Sequence, residues 1–186
     1  MYTASGKIIS IEGTYGGQPF FRKDAIQPNE KRVAERLVQN PHPNIVHIYK
    51  VTDTYIDMEM LQPCIFSNMK ELRMNADMRS VKDHLHIHNI MYIDWKYDNI
   101  GLSADGKYKL FDFDACGITN EANTEWIVNP PSYFNWKHAL DKGFLDPVEI
   151  DDYCFQEYMY TNIKNTNSYA YEYIVPNYAS TPNRMV

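Results

Sequence analysis

The polar–apolar pattern divides the chain into a β-prone first third and a more helical remainder. Lys7-Ile-Ile-Ser-Ile-Glu12 and Pro19-Phe-Phe-Arg-Lys23 are rich in β-branched or aromatic residues, and Gly13-Thr-Tyr-Gly-Gly17 between them supplies turn residues. This predicts a hairpin over residues 7–23. Glu30 to Val38 is a run of helix formers in which Val33, Ala34 and Leu37 share a face, and Pro41 and Pro43 end it. Ile45–Tyr49 and Tyr55–Leu61 read as two further strands about a turn at Thr52-Asp53.

Beyond Pro63 the pattern changes. Residues 68–88 are helical in content and lead into Ile90–Ile93; short strands follow near Ile100–Leu102 and Tyr108–Phe111, joined by a turn at Ala104-Asp-Gly106. Residues 117–135 read as irregular, with Asn129-Pro-Pro131 as a breaker, and residues 149–163 as a helix. Strands first and helices afterwards predict an α+β chain with a boundary near residues 61–67.

Composition narrows the function. A chain of 186 residues with 44% hydrophobic content can bury a core, and a net charge of −6 argues against a general nucleic-acid binder. Cys64, Cys116 and Cys154 are far apart and form no Cys-x-x-Cys pair, so they read as reduced thiols and not as a disulfide framework or zinc site. No apolar run approaches the length of a membrane span or a signal peptide. The expectation is a soluble, cytoplasmic protein.

The candidate chemistry lies in Tyr92-Ile-Asp-Trp-Lys-Tyr-Asp-Asn99 and Lys109-Leu-Phe-Asp-Phe-Asp114. These segments resemble the catalytic and metal-binding loops of protein kinases, in which an Asp is followed five residues later by an Asn and, beyond a hairpin, by Asp-Phe-Gly. The resemblance covers residues 4–160 in reduced form. It implies a bilobal kinase-like fold with a small β-rich N-lobe (1–61), a truncated helical C-lobe (62–164) and a tail (165–186). Asp94 then stands as catalytic base, Lys96 as charge stabiliser, and Asn99 and Asp112 as ligands of Mg2+ (or Mn2+). Lys23 corresponds to the lysine that holds the ATP phosphates, with Glu30 or Glu35 as its ion-pair partner. Met58 would guard the adenine pocket, and Glu59, Met60 and Leu61 would offer backbone groups to the base. Asp151 would anchor the catalytic loop. Lysine at position 96 resembles the serine/threonine-specific members, so the implied activity is ATP-dependent phosphorylation of protein hydroxyls.

Departures from the pattern set the alternatives. The glycine-rich phosphate loop is reduced: either Gly6, in Ser5-Gly-Lys-Ile8, is its last part and the chain begins inside it, or Gly13-Thr-Tyr-Gly16 is a shortened form. Phe21 stands where the family has a small residue over adenine. Ile93 replaces the arginine before the catalytic aspartate, so control through a phosphorylated activation loop is not expected. Asp114 replaces the glycine of Asp-Phe-Gly, as in small-molecule kinases. The partner is then a protein substrate or, for a pseudokinase, another kinase; no nucleic acid or membrane is expected. So shortened a kinase suggests a compact, viral-type genome. His84, His86 and His88 read as ordinary helix residues and not as a zinc site, and Lys31, Arg32 and Arg36 as a solvated helix face.

Overall fold

The computed structural model describes residues 14–63, 68–131 and 136–164, arranged as a mixed α+β fold with three small antiparallel sheets. Strands β1 (Thr14–Tyr15) and β2 (Gln18–Asp24) form a hairpin whose turn is only Gly16-Gly17, both at positive φ. Two successive left-handed residues suit the twist of a two-residue hairpin, and glycine adopts them without a Cβ penalty. The turn is therefore tighter than the sequence suggested, because Thr14 and Tyr15 pair as strand. The predicted strand Lys7–Glu12 lies outside the described residues, as do Gly6 and Gly13.

Helix α1 (Pro28–Gln39) follows, begun by a proline that needs no intrahelical partner for its missing N–H. Its buried stripe is Glu30, Val33, Ala34 and Leu37, an i, i+3, i+4, i+7 face that packs on the sheet. Strands β3 (Ile48–Val51) and β4 (Tyr55–Glu59) complete the order β1-β2-β4-β3. The strand predicted from Ile45 starts instead at Ile48. Ile45 bridges in parallel to Leu110, and Val46 N–H donates to Leu110 O at 2.9 Å, so this backbone pairs with the second half of the chain.

Alternation along β2 sorts its residues between two environments. On one face Arg22 makes two hydrogen bonds, 2.6 and 2.8 Å, to the fully buried carboxylate of Asp57, its cross-strand neighbour, and Tyr15 OH donates to the same group at 2.7 Å. Lys23 and Phe21 point to the other face. Phe21 lies directly opposite Met58.

In the second half, β5 (Gln62–Pro63) pairs with β7 (Ile100–Leu102), and β7 with β8 (Tyr108–Leu110) through a turn in which Gly106 has φ 78°. Helix α2 (Asn68–Ile87) buries Met74, Met78, Val81 and Leu85. Among the described residues no helix is long and apolar enough to cross a membrane.

Residues 117–135, expected to be irregular, contain β9 (Gly117–Thr119) and β10 (Trp126–Val128), which join β6 (Ile90–Met91) in the order β10-β9-β6. Strands of two or three residues are too short for alternation to register in the sequence. Helix α3 (Trp136–Asp141) was likewise not legible, whereas α4 (Pro147–Lys164) matches the predicted helix. Cys116 and Cys154 are free and buried, and burial raises both thiol pKa values; Cys64 lies outside the described residues.

Gly117 fixes how closely β9 packs. A Cβ there would overlap the Trp126 ring and approach Pro130 Cδ at 2.9 Å. Gly117→Ala should therefore destabilise the fold by about 1–3 kcal/mol through overpacking. Urea denaturation of the two proteins checks this; equal midpoints would show that Trp126 moves aside without cost.

Candidate functional site

Lys23 gathers the first cluster. Its ammonium sits 2.6 Å from Glu30 Oε1, 2.5 Å from Asp112 Oδ1 and 3.8 Å from Asp114 Oδ2. Glu30 reaches it from the first turn of α1, and the two aspartates from the loop after β8. Glu35 instead faces solvent and pairs with Lys31 at 3.1 Å, so the geometry selects Glu30 as the partner of Lys23. Burial opposes the charge on Lys23, but Asp112, Glu30 and Asp114 more than offset it and hold its pKa above the usual lysine value. Burial also raises the pKa of Glu30, against the opposing pull of Lys23.

The second cluster is the loop 92–99. Asp94 Oδ2 accepts from Lys96 Nζ at 2.6 Å and from Asn99 Nδ2 at 2.9 Å, and Asn99 Nδ2 also donates to the Asp94 carbonyl at 3.0 Å. Asn99 is buried and closes a 3-10 turn, Tyr97–Asn99. Asp94, Lys96 and Asn99 thus act as one bonded unit.

Phe111 stitches the two clusters together. Its N–H donates to Asn99 O at 3.0 Å and its carbonyl accepts from Tyr92 OH at 2.6 Å. Asp112 is the next residue, at φ 64°. Beneath both loops the buried rings pack edge to face or tilted: Tyr92 on Trp95 at 4.8 Å, Tyr92 on Phe113 at 5.9 Å, and Trp95 on Phe155 of α4 at 4.8 Å.

Ile93 is strained. A β-branched residue at φ 66° is unusual, and the Asp94 N–H to Tyr92 O bond of 2.8 Å closes a γ-turn about it. Asp151, fully buried in α4, holds this conformation. Its Oδ1 accepts from Ile93 N–H and Trp95 Nε1, both at 2.8 Å, and its Oδ2 meets His86 Nε2 at 2.7 Å. The expected anchoring contact by Asp151 is present in the geometry.

The three histidines of α2 diverge. His86 serves Asp151, while His84 Nε2 meets the Asn40 carbonyl at 2.9 Å and its ring packs against His42 and His88. Among the described residues no group of three or more His, Cys, Asp or Glu forms a metal cage. A hard cation held by one or two protein oxygens, with the rest supplied by substrate phosphates and water, needs no such cage. Asp112, part-exposed beside Lys23, and Asn99, whose Nδ2 is taken up by Asp94, are the residues that could supply such oxygens.

At the end of β4, Met58 is buried on the strand face shared by Phe21 and Lys23, so these three sequence-predicted positions do come together. The Glu59 N–H is committed to His47 O at 2.8 Å, and the Glu59 side chain to Lys109 at 2.6 Å. Backbone donors toward a ligand at this edge are thereby left to Met60 and Leu61. Gly6, the candidate from the phosphate loop, lies outside the described residues.

One network had no signal in the sequence beyond an abundance of asparagine. Asn89 Nδ2 donates to Asn120 O and Asn123 Oδ1, Thr119 OH donates to Asn123 Oδ1, and Asn123 Nδ2 donates to His86 O, at 2.6–2.9 Å. It ties the β9–β10 connection to the end of α2.

No model of a protein family matches the chain. The chain is similar to RAC-beta serine/threonine-protein kinase B of Xenopus laevis, 32% identical over 153 residues, covering 69% of this chain and 32% of that protein. It is also similar to the probable serine/threonine-protein kinase mkcB of Dictyostelium discoideum, 28% identical over 138 residues, covering 67% and 19%. Protein kinase C epsilon type of Rattus norvegicus is 42% identical over 60 residues, covering 31% and 8%. The chain spans at most 32% of the length of these relatives. The similarity supports a kinase-like family of the serine/threonine type.

Proposed function

We propose that the chain is a minimal ATP-dependent protein kinase that phosphorylates Ser or Thr hydroxyls. One observation carries the reading: Lys23 meets both Glu30 and Asp112, residues 7 and 89 positions away in sequence, beside the bonded unit Asp94–Lys96–Asn99. In the reaction Asp94 accepts the proton of the incoming hydroxyl, and Lys96 offsets charge gathering on the transferring group. Lys23, oriented by Glu30, engages the nucleotide phosphates. Asn99 and Asp112 would hold the divalent cation, which supplies charge neutralisation at those phosphates. Asp114 adds a further carboxylate to the same region, and Met58, Met60 and Leu61 line the base side.

The experiment is transfer from γ-labelled ATP to a generic protein substrate such as casein, with Mg2+ or Mn2+, beside Asp94→Ala. Labelling that disappears in the variant supports the enzyme. A second reading, a pseudokinase that binds another kinase, draws on the direct Lys23–Asp112 pair, which engages the two groups a metal–nucleotide would need. Equal labelling by wild type and Asp94→Ala leaves that second reading standing.

ATP binding should depend on metal. With three carboxylates around one lysine, the triphosphate meets a region of net negative charge unless a cation joins it. Calorimetry should show ATP affinity falling at least about tenfold when EDTA replaces Mg2+. Equal affinity in EDTA would contradict the proposed roles of Asn99 and Asp112.

A further inference from the structure

Three imidazole rings meet where the end of α1 and the segment after it pack on α2. His84 stands in the middle, its ring centroid 4.9 Å from that of His42 and 4.6 Å from that of His88. Its Nε2 meets the Asn40 carbonyl at 2.9 Å, and Arg36 donates to His88 O at 3.0 Å. All three rings are half-buried, so protons reach them from solvent.

The bonds of His42 require a neutral ring. Its Nδ1 accepts from Asn44 N–H at 3.2 Å, which leaves its one proton on Nε2, facing Ser80 Oγ 3.3 Å away. A second proton would go to Nδ1 and set two donors against each other. The turn held in this way joins the two halves of the chain. Asn44 O accepts from Leu110 N–H, Asn44 Nδ2 donates to Tyr108 O, and Val46 N–H donates to Leu110 O, each at 2.9 Å. From there β8 runs through Phe111 to Asp112.

The surroundings also oppose a proton. Burial, and then the neighbouring His84, hold the pKa of His42 below the ordinary 6.5; burial, His84 and Arg36 do the same for His88. Among the described residues the histidine with a carboxylate at ion-pair distance is His86, outside this group. Of the other ions on the elements packed here, Lys82 of α2 pairs with Asp152, and Lys107 and Lys109 beside and within β8 pair with Asp105 and Glu59.

We propose that His42, with His84 and His88 beside it, is a proton-operated latch on the junction between the two halves of the chain. With the rings neutral, His42 holds Asn44 and thereby seats residues 44–46 on β8. A proton taken up by Nδ1 in mildly acid solution frees the Asn44 N–H, and the backbone bonds to Leu110 open; the proton returns to solvent when the pH rises. His42 is thus a positioning residue for the loop that carries Asp112. A ring that refuses the proton when latched, and takes it at the ordinary value when released, keeps the latch firm above about pH 6.5 and weakens it as pH falls below that.

Amide hydrogen exchange followed by NMR, corrected for the intrinsic rate, tests this at about pH 7.5 and about pH 5.5. Protection of the Val46 and Leu110 amides should fall by about fivefold or more, while that of Cys154 in α4 holds. One group of ordinary pKa 6.5 sets a limit of about tenfold over that range. His42→Asn keeps an oxygen for the Asn44 N–H and has no proton to gain, so it should abolish most of the fall. His138→Asn, at an exposed histidine of α3, should leave the fall as in wild type. Ring nitrogen chemical shifts of His42 in the wild-type protein should pass from the Nε2–H tautomer to imidazolium over the same pH range in which Val46 loses protection. Unchanged protection at Val46 and Leu110, an equal fall at Cys154, a fall that persists in His42→Asn, or a ring titration in a different range would each overturn the proposal. No nucleotide enters these measurements, so they stand whether or not the chain transfers phosphate.

Discussion

Asp94→Asn should lower phosphoryl transfer by about 100-fold or more while leaving the fold and ATP affinity nearly intact. Asparagine keeps the size of the side chain and one oxygen to accept from Lys96 and Asn99, so the bonded unit can persist. What it loses is the ability to take a proton from the incoming hydroxyl, and positioned general bases are commonly worth about 100- to 10,000-fold in rate. Asp112→Asn should behave differently. Its carboxylate meets Lys23 and is proposed as a metal ligand, so removing its charge should weaken metal–nucleotide binding together with turnover. Titration calorimetry and initial rates, run on both variants, separate the two behaviours. If Asp94→Asn weakens ATP binding as much as Asp112→Asn does, Asp94 is not acting on the hydroxyl.

The second large effect concerns stability. Asp151→Ala should cost about 3–5 kcal/mol, because it strips a fully buried carboxylate from Ile93 N–H, Trp95 Nε1 and His86 Nε2 at once. For a chain of this size that is a fall in Tm of roughly 6–20 °C. Asp151→Asn keeps an oxygen for Ile93 and Trp95 and should lose less than half as much. Scanning calorimetry of the three proteins checks the order. Similar Tm values for the Ala and Asn variants would mean that the oxygen Asn retains for Ile93 and Trp95 contributes nothing without the carboxylate charge.

Much of the site could be read from residue types because it is built from polar groups at fixed spacing. Asp94, Asn99 and Asp112 lie on two loops separated by one hairpin, so sequence distance nearly fixes spatial distance. Lys23 and Glu30 were harder. Their pairing needs the register of a strand and a helix, and the choice between Glu30 and Glu35 followed only once helix phase placed Glu30 in the buried stripe. The β6–β9–β10 sheet escaped notice for the opposite reason: its strands are two or three residues long and depend on tertiary pairing. The left-handed backbone at Ile93 was also hidden. Nothing in an isoleucine announces positive φ; the cause lies 58 residues away in Asp151.

The asparagine network has a consequence of its own. The segment that follows Asp112 and Asp114 is fastened by amides, a hydroxyl and backbone carbonyls, with no ionised side chain among the bonds described. A clamp of arginine and phosphate tightens or loosens with charge; one made of neutral groups recognises only shape. Added salt therefore has little charge to screen in it. In engineering terms the segment is held by a fastener whose grip does not follow ionic strength.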